Sequence, residues 1–333
     1  MRKVFLYGML FMFIGACSQK NTDKLTKDNY VATMLKEIKH YPKEPFYQIY
    51  VANSLCVYEL LVNDFPIHKQ YRYEQLATPI HINVNILKSG KQKVTIRLYP
   101  APAEFNGRNG EFLSPDTKCD ISVEVNDNAK GLPVDGNIEL QEIKMPTVIT
   151  MLGEKNDIAI KEFAGKGQKY FEHSFYFDAV VPYNNEGYTN GQDLTKLNQK
   201  DLETAVLQFY QNQWNIYNNK NSDDLFSYLF QKEKELRQST YDTKKELEKN
   251  VTDYLEPLIL KNYRPEPLKD YKMVFYGDGK MVALEQKSLD IRLRGEGALW
   301  GLDNNPKGRT AYFHYRYLYL PQSKSLNQLE VIR

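Results

Sequence analysis

Four basic side chains near the C-terminal end of the sequence could together bind an anionic group. They are Arg292, Arg294, His314 and Arg316. The first two alternate with the apolar residues of the segment 289–293, and the last two alternate with the aromatic residues of the segment 312–320. Alternation with a period of two residues predicts that each segment is a strand. If these strands are neighbours in register, the four side chains gather on one sheet face as a cationic patch. Guanidinium groups bind carboxylates and phosphates through paired hydrogen bonds, so this patch would suit an acidic partner or anionic ligand.

Two alternatives stay open for this region. The basic side chains could form an ordinary solvated sheet face, with their charge neutralised by Asp290 and Glu296. The aromatic side chains on the opposite face of 312–320 predict either a core packed against helices or the wall of a ligand pocket.

Outside this patch, the sequence contains no motif typical of an active site, a metal site or a cofactor site. The five histidines lack the spacing of zinc ligands, and neither a nucleophile elbow nor a phosphate-binding loop occurs. The candidates for general acid and base catalysis are Glu172, His173, Asp290 and His314. Their spacing in the sequence does not indicate which of them would act as a pair. The sequence therefore favours a non-catalytic protein and predicts no metal and no cofactor.

The N-terminal residues have the pattern of an export signal. Arg2 and Lys3 precede an uncharged apolar stretch over 4–14, which is too short to span a bilayer as a stable helix. The stretch ends in Ile14-Gly15-Ala16-Cys17 and is followed at once by polar residues. These four residues resemble the bacterial lipobox. The resemblance implies that residues 1–16 are a cleaved signal peptide and that Cys17 becomes the lipidated first residue, anchored in a lipid bilayer without a transmembrane helix.

The residues after Cys17 predict where such a lipoprotein resides. In bacterial lipoproteins a residue other than Asp after the cysteine favours delivery to the outer membrane, and here that residue is Ser18. No acidic cluster follows, since Asp23 is the first acidic residue, and such clusters direct some lipoproteins to the cell surface. We therefore expect an outer-membrane lipoprotein that faces the periplasm.

The other two cysteines would then lie in an oxidising compartment. Cys56 and Cys119 both fall in or beside segments with a strand pattern, so a disulfide between them is possible. The alternative is two separate buried thiols that pack as small apolar side chains. The sequence does not decide between these two interpretations.

Composition excludes several other classes of protein. The 333 residues include 44 Lys and Arg, 42 Asp and Glu, and 13% aromatic residues. Intrinsic disorder requires low hydrophobicity with high net charge, and nucleic-acid binding is usually accompanied by a strongly basic region, so both are disfavoured. The mean hydropathy of −0.59 excludes a protein with many membrane spans.

The pattern of the mature chain predicts two domains with an α+β fold overall. After a polar tether over 17–27, a helix over 28–40 and then segments of period two predict an N-terminal antiparallel β-sandwich domain over 28–181. Within it, alternation over 80–86 and 94–98 around a Ser89-Gly90 turn predicts a hairpin.

An Asn- and Gly-rich segment over 182–197 predicts a linker. A period of 3.6 then begins, with Asn198 placed to cap the first helix. Two or three helices followed by strands predict that residues 198–333 form an α+β domain in which the helices pack on an antiparallel sheet.

These features favour a membrane-anchored periplasmic binding module that recognises another protein, as in immunity proteins that neutralise toxins acting in the periplasm. One alternative is a small-ligand-binding protein or hydrolytic enzyme with a pocket in the C-terminal domain. A second alternative is glycan binding by the β-sandwich.

Overall fold

The fold is mixed α and β, as predicted, with a β-sandwich followed by helices and antiparallel sheets. A computed structural model describes residues 24–103, 110–127, 136–153, 158–306 and 308–333. The predicted signal peptide and Cys17 lie outside the described residues. None of the described helices is both long enough and apolar enough to cross a membrane.

The N-terminal unit is a sandwich of two antiparallel sheets. Its strands are β1 (Pro45–Ser54), β2 (Cys56–Val62), β3 (Phe65–Gln70), β4 (Ile80–His81), β5 (Gly90–Pro100), β6 (Lys118–Asp127), β7 (Ile138–Lys144), β8 (Thr147–Leu152), β9 (Ile158–Phe163) and β10 (Phe171–Ala179). One sheet has the order β4-β1-β6-β7 and the other the order β10-β5-β2-β3, while β8 and β9 form a separate hairpin. Alternate side chains such as Ile49, Val123, Leu60 and Ile96 are fully buried between the two sheets.

The predicted hairpin over 80–98 is wrong, because its two halves belong to different sheets. β4 pairs with β1, whereas β5 pairs with β2 and β10. After β4 the chain forms a 3₁₀ turn, Asn83–Asn85, rather than a longer strand. The Asn83 side chain accepts a hydrogen bond from the Tyr47 backbone N–H (2.7 Å) and donates to the Pro45 carbonyl (2.9 Å), so a side chain replaces strand pairing here.

The C-terminal unit combines helices with two antiparallel sheets. Its helices are α1 (Tyr30–Glu37), α2 (Gln199–Asn218), α3 (Ser222–Ser227), α4 (Phe230–Thr240) and α5 (Lys244–Ile259). Its strands are β11 (Tyr263–Pro265), β12 (Tyr271–Tyr276), β13 (Met281–Gln286), β14 (Trp300–Asn305), β15 (Gly308–Phe313), β16 (Leu318–Tyr319) and β17 (Glu330–Val331). The sheets have the orders β11-β14-β15 and β12-β13-β16-β17.

Helix α1 packs with the C-terminal helices, although the sequence pattern placed it in the sandwich domain. Tyr30 and Met34 are fully buried in the core that contains α2, α3 and α5. The Tyr30 hydroxyl donates to Glu233 Oε2 on α4 (2.5 Å), and Lys234 on α4 forms a salt bridge with Glu37 (2.7 Å). An amphipathic helix needs an apolar partner surface, and the sequence does not specify which surface supplies it.

The segment predicted as a linker is packed between the two units. Tyr183, Tyr188 and Leu194 are buried, and the Gly187 backbone N–H donates to Glu235 Oε1 on α4 (2.9 Å). A shared apolar cluster joins the sandwich to the C-terminal sheet and includes Leu61, Phe65, Tyr276, Met281 and Tyr317. The two units are therefore joined by a continuous core rather than by a free tether.

Candidate functional site

The segment 289–293 is a turn, so the prediction of a strand there is wrong. Asp290 Oδ1 accepts a hydrogen bond from the Arg292 backbone N–H (2.9 Å). The Asp290 carbonyl accepts from the backbone N–H groups of Leu293 (2.9 Å) and Arg294 (2.7 Å). An aspartate that bonds to the backbone two residues later favours a turn over an extended strand, whatever the alternation of its neighbours.

The turn holds both of its arginines away from the predicted patch. Arg292 is exposed and forms a salt bridge with Asp290 (Nη2–Oδ2 2.6 Å), and this contact lowers the pKa of the Asp290 carboxyl to about 2. The Arg294 guanidinium lies 4.1 Å from the ring centre of Tyr71 and 5.4 Å from that of Tyr99, both in the sandwich unit. Arg294 therefore contributes to contact between the units.

The predicted strand over 312–320 is interrupted, because the chain crosses from one sheet to the other. β15 ends at Phe313 and β16 begins at Leu318. Between them Arg316 turns into the interior, where it is 3% exposed, while Tyr315 is 43% exposed. The predicted faces are therefore inverted at this point, with the basic side chain inside and an aromatic side chain outside.

His314 is held by two tyrosines. Its ring stacks on Tyr217 at a centroid distance of 3.8 Å and an interplanar angle of 10°, and its Nε2 lies 2.9 Å from the Tyr263 hydroxyl oxygen. Burial, with a contribution from the nearby Arg316 charge, places the pKa of His314 well below its usual value. His314 is consequently neutral at pH 7 and acts as a hydrogen-bonding group rather than a cation.

Arg316 is a buried cation held by neutral acceptors. Its guanidinium donates to Gln213 Oε1 (3.1 Å), the Tyr217 hydroxyl (2.8 Å) and the Tyr315 carbonyl (2.8 Å). In the described part of the chain, no carboxylate forms a salt bridge with it. A buried charge that forms no salt bridge is costly in free energy.

A cavity of about 480 Å³ lies beside Arg316, between α4, α5 and residues 311–316. We call it the cationic pocket and define it by Tyr217, Lys232, Asn250, Tyr254, His314 and Arg316. The Lys232 Nζ atom lies 5.9 Å from the centre of the Tyr254 ring and makes neither a hydrogen bond nor a salt bridge with any described residue. Burial lowers the pKa of Lys232 to about 8; nearby arginines add to this effect and Glu233 opposes it.

The other charges around the pocket are paired. The fully buried Glu233 accepts from Arg237 Nε (3.0 Å), which in turn contacts Asp242 through Nη1 (3.1 Å). Burial would raise the pKa of Glu233, but Arg237, Lys232 and hydrogen bonds from two tyrosines hold it below its usual value. Asp253 at the rim pairs with Lys249. Among the described residues, the charged pocket side chains that form no salt bridge are thus Lys232 and Arg316, and both are positive.

The structure brings together two of the four predicted patch residues, His314 and Arg316, and adds one that sequence analysis missed. Lys232 lies in a Lys- and Glu-rich run of α4, which the sequence pattern assigns to a solvated helix face. Nothing in the sequence of that run distinguishes Lys232 from the lysines that face solvent. Only the packing of α4 against residues 311–316 in the tertiary structure identifies Lys232 as a pocket residue.

The predicted acids and bases are dispersed. Glu172 and His173 lie on β10 of the sandwich, where Glu172 forms a salt bridge with Arg97 (2.9 Å). Asp290 pairs with Arg292, and neither Asp290 nor Glu172 is hydrogen-bonded to His314. Across the described ranges, no group of three or more His, Cys, Asp or Glu side chains could hold a metal ion.

Cys56 and Cys119 are both buried free thiols in this structure. They lie on β2 and β6, which belong to opposite sheets of the sandwich, and Cys56 Sγ is 3.5 Å from the Lys118 carbonyl oxygen. Burial raises the pKa of the Cys56 thiol to about 12 and also raises that of Cys119. The disulfide remains a prediction, and neither thiol is activated as a nucleophile.

Comparison of the chain with protein-family models, with curated proteins and with solved structures found no match.

Proposed function

We propose that this protein is a non-catalytic binding lipoprotein of the bacterial envelope, and that its cationic pocket binds a carboxylate or phosphate group. The observation that carries the proposal is the pair of buried or half-buried cations, Arg316 and Lys232, that line one cavity without a carboxylate partner among the described residues. A bound anion would supply the missing charge, and in a poorly solvated site such a pair is strong.

The remaining pocket residues favour an anion attached to a flat or ring-shaped body. Tyr217, Tyr254 and Tyr312 provide aromatic surface, and the Asn250 amide and neutral His314 provide hydrogen-bonding groups. An acidic side chain of a partner protein and a small aryl or sugar acid share this chemistry. An immunity protein bound to a periplasm-acting toxin would be one example of the protein case.

Lys232→Met is expected to abolish anion binding while keeping the fold, because it removes a charge and retains most of the side-chain stem. The matched control is Lys234→Met on the same helix, since Lys234 pairs with Glu37 and does not line the pocket. The mature chain from residue 18 would be titrated at pH 7 with phosphate, glucuronate and benzoate, and with the neutral analogues glucose and benzamide. Calorimetry should show binding of at least one anion to wild type and Lys234→Met only.

Capture from envelope extracts separates the two possible sources of the anion. A partner protein should be retained by wild type and Lys234→Met and lost with Lys232→Met. A small-molecule ligand should instead give binding in the titration and no such partner. If no anion binds and no captured protein depends on Lys232, the pocket proposal is wrong.

The lipid anchor is tested independently of the pocket. Cys17→Ala is expected to move the protein from the membrane fraction to the soluble fraction and to abolish incorporation of labelled palmitate, because the cysteine is the proposed acylation site. Ser18→Ala is the matched control and should leave both results unchanged. Membrane association of the Cys17→Ala protein without palmitate would contradict the anchor but not the pocket.

A further inference from the structure

The β8–β9 hairpin extends from the sandwich with an unpaired and uncharged edge. β8 pairs only with β9 among the described strands. The six residues of β8 are Thr-Val-Ile-Thr-Met-Leu, and none carries a charge. Ile149 is 71% exposed, and Met151 and Leu152 are each 46% exposed. Isolated two-stranded hairpins are only marginally stable in water, so this one would gain from a further strand.

The two edges of the hairpin differ in a way that identifies the binding edge. β9 carries Lys161 and Glu162, and charged residues on an edge strand discourage pairing with other chains. β8 lacks this protection, and it has the β-branched, uncharged composition that favours pairing between chains. The free edge of β8 is therefore suited to accept another strand.

We infer that the added strand is β8 of a second copy, paired antiparallel about a two-fold axis at Thr150. A two-fold axis perpendicular to the sheet keeps every side chain on its own face, and it lies midway between the two copies of one residue, which therefore face each other. Centred on Thr150, the pairing places Ile149 opposite Met151 and Val148 opposite Leu152. Every cross-strand pair is then apolar with apolar or threonine with threonine, which are favourable combinations.

Charge also permits this pairing. Two charged side chains contact Thr150 of β8: Lys166 Nζ donates to Thr150 Oγ1 (2.7 Å), and Glu162 on β9 is hydrogen-bonded to the same hydroxyl. Lys166 and Glu162 form a salt bridge with each other, so this pair brings no net charge to the contact between the two copies. The result is a four-stranded sheet with the order β9-β8-β8-β9.

The interface is small, which sets the expected affinity. Five paired residues from each copy, 148–152, bury less than the roughly 1,200 Å² of stable complexes, so we expect a dissociation constant on the order of 10 to 100 µM. Two copies anchored in one membrane would associate more readily, because anchoring raises their effective concentration.

Sedimentation equilibrium of the mature chain from residue 18 tests the dimer, at concentrations from about 1 to about 300 µM. Wild type should shift from monomer to dimer over this range. Ile149→Lys should weaken association at least tenfold, because it places a charge at the centre of the pairing. The matched control is Leu289→Lys, which changes an 85% exposed leucine in the C-terminal unit and should associate as wild type does.

The register has its own test. Under mild oxidation Thr150→Cys should form an intermolecular disulfide, whereas Leu289→Cys should not, and the buried Cys56 and Cys119 should not react. A wild-type protein that stays monomeric at the highest concentration would overturn the dimer. Unchanged association of Ile149→Lys would overturn the assignment to β8. Neither outcome bears on the anion pocket, which lies in the other unit.

Discussion

Arg333→Met is expected to lower the free energy of unfolding by about 3 to 5 kcal/mol, the largest loss we expect from a single side chain. Arg333 Nη1 lies 3.0 Å from Glu235 Oε2, and both side chains are less than 5% exposed. Methionine retains the apolar stem but leaves the Glu235 carboxylate buried without an opposite charge. Its other oxygen still accepts from the Gly187 N–H and from Gln231, which does not replace the lost cation.

Chemical denaturation of a chain that begins at residue 18 measures this loss. The matched control is Arg292→Met, which removes an arginine–carboxylate pair from an exposed turn and should leave the free energy of unfolding nearly unchanged. The double variant Arg333→Met with Glu235→Met should recover most of the loss, because it removes both buried charges. Equal effects of the two arginine substitutions would show that the buried pair is not specially important.

Lys232→Met is expected to raise the free energy of unfolding at pH 7 by as much as about 3 kcal/mol. The pKa of Lys232 falls from about 10.4 in the unfolded chain to about 8 in the folded protein. At pH 7 and below, Lys232 is protonated in both states, and the folded state bears the full cost of a poorly solvated charge. Between pH 8 and about 10 the unfolded chain binds more protons, so wild-type stability rises relative to that of the variant.

The difference between Lys232→Met and wild type should therefore be largest at pH 7 and shrink steadily toward pH 9.5. The charged groups that influence Lys232 are Glu233, Arg237, Arg316 and Arg333, and all are present in both proteins. Burial also raises the pKa of many tyrosines, Tyr254 among them, so ionisation of tyrosines in the unfolded chain destabilises both proteins equally near pH 10. If the difference in free energy of unfolding between Lys232→Met and wild type does not change with pH, the ionisation of Lys232 is not its cause. The control Lys234→Met should differ from wild type by the same amount at every pH.

Local sequence signals predicted the helices of the C-terminal unit well. Asn198 caps α2 through hydrogen bonds from the backbone N–H groups of Lys200 and Asp201, as its position before an amphipathic run indicated. Residues adjacent in sequence make the deciding interactions at this cap, so no tertiary information was needed.

Alternation of polar and apolar residues was less reliable for strands. Around 289–293 the Asp290 side chain forms a turn that overrides the period, and over 312–320 the chain leaves one sheet and enters another. Neither event changes the spacing of apolar residues, so a pattern of period two does not reveal it. As a consequence the proposed patch of four basic residues is divided between an exposed turn, a contact between units and a pocket.

The sequence by itself determined the α+β class, the order of a sandwich followed by helices and sheets, and the expectation of an export signal, since each depends on local composition and periodicity. The tertiary structure alone decided that α1 packs on α4 and α5, that the segment 182–197 packs between the units through buried side chains such as Tyr183 and Tyr188, and that Lys232 lies in the same pocket as Arg316. The physical reason is that the charge environment of a side chain depends on neighbours distant in sequence. Lys232 and Arg316 come together only when α4 packs against the segment between β15 and β16.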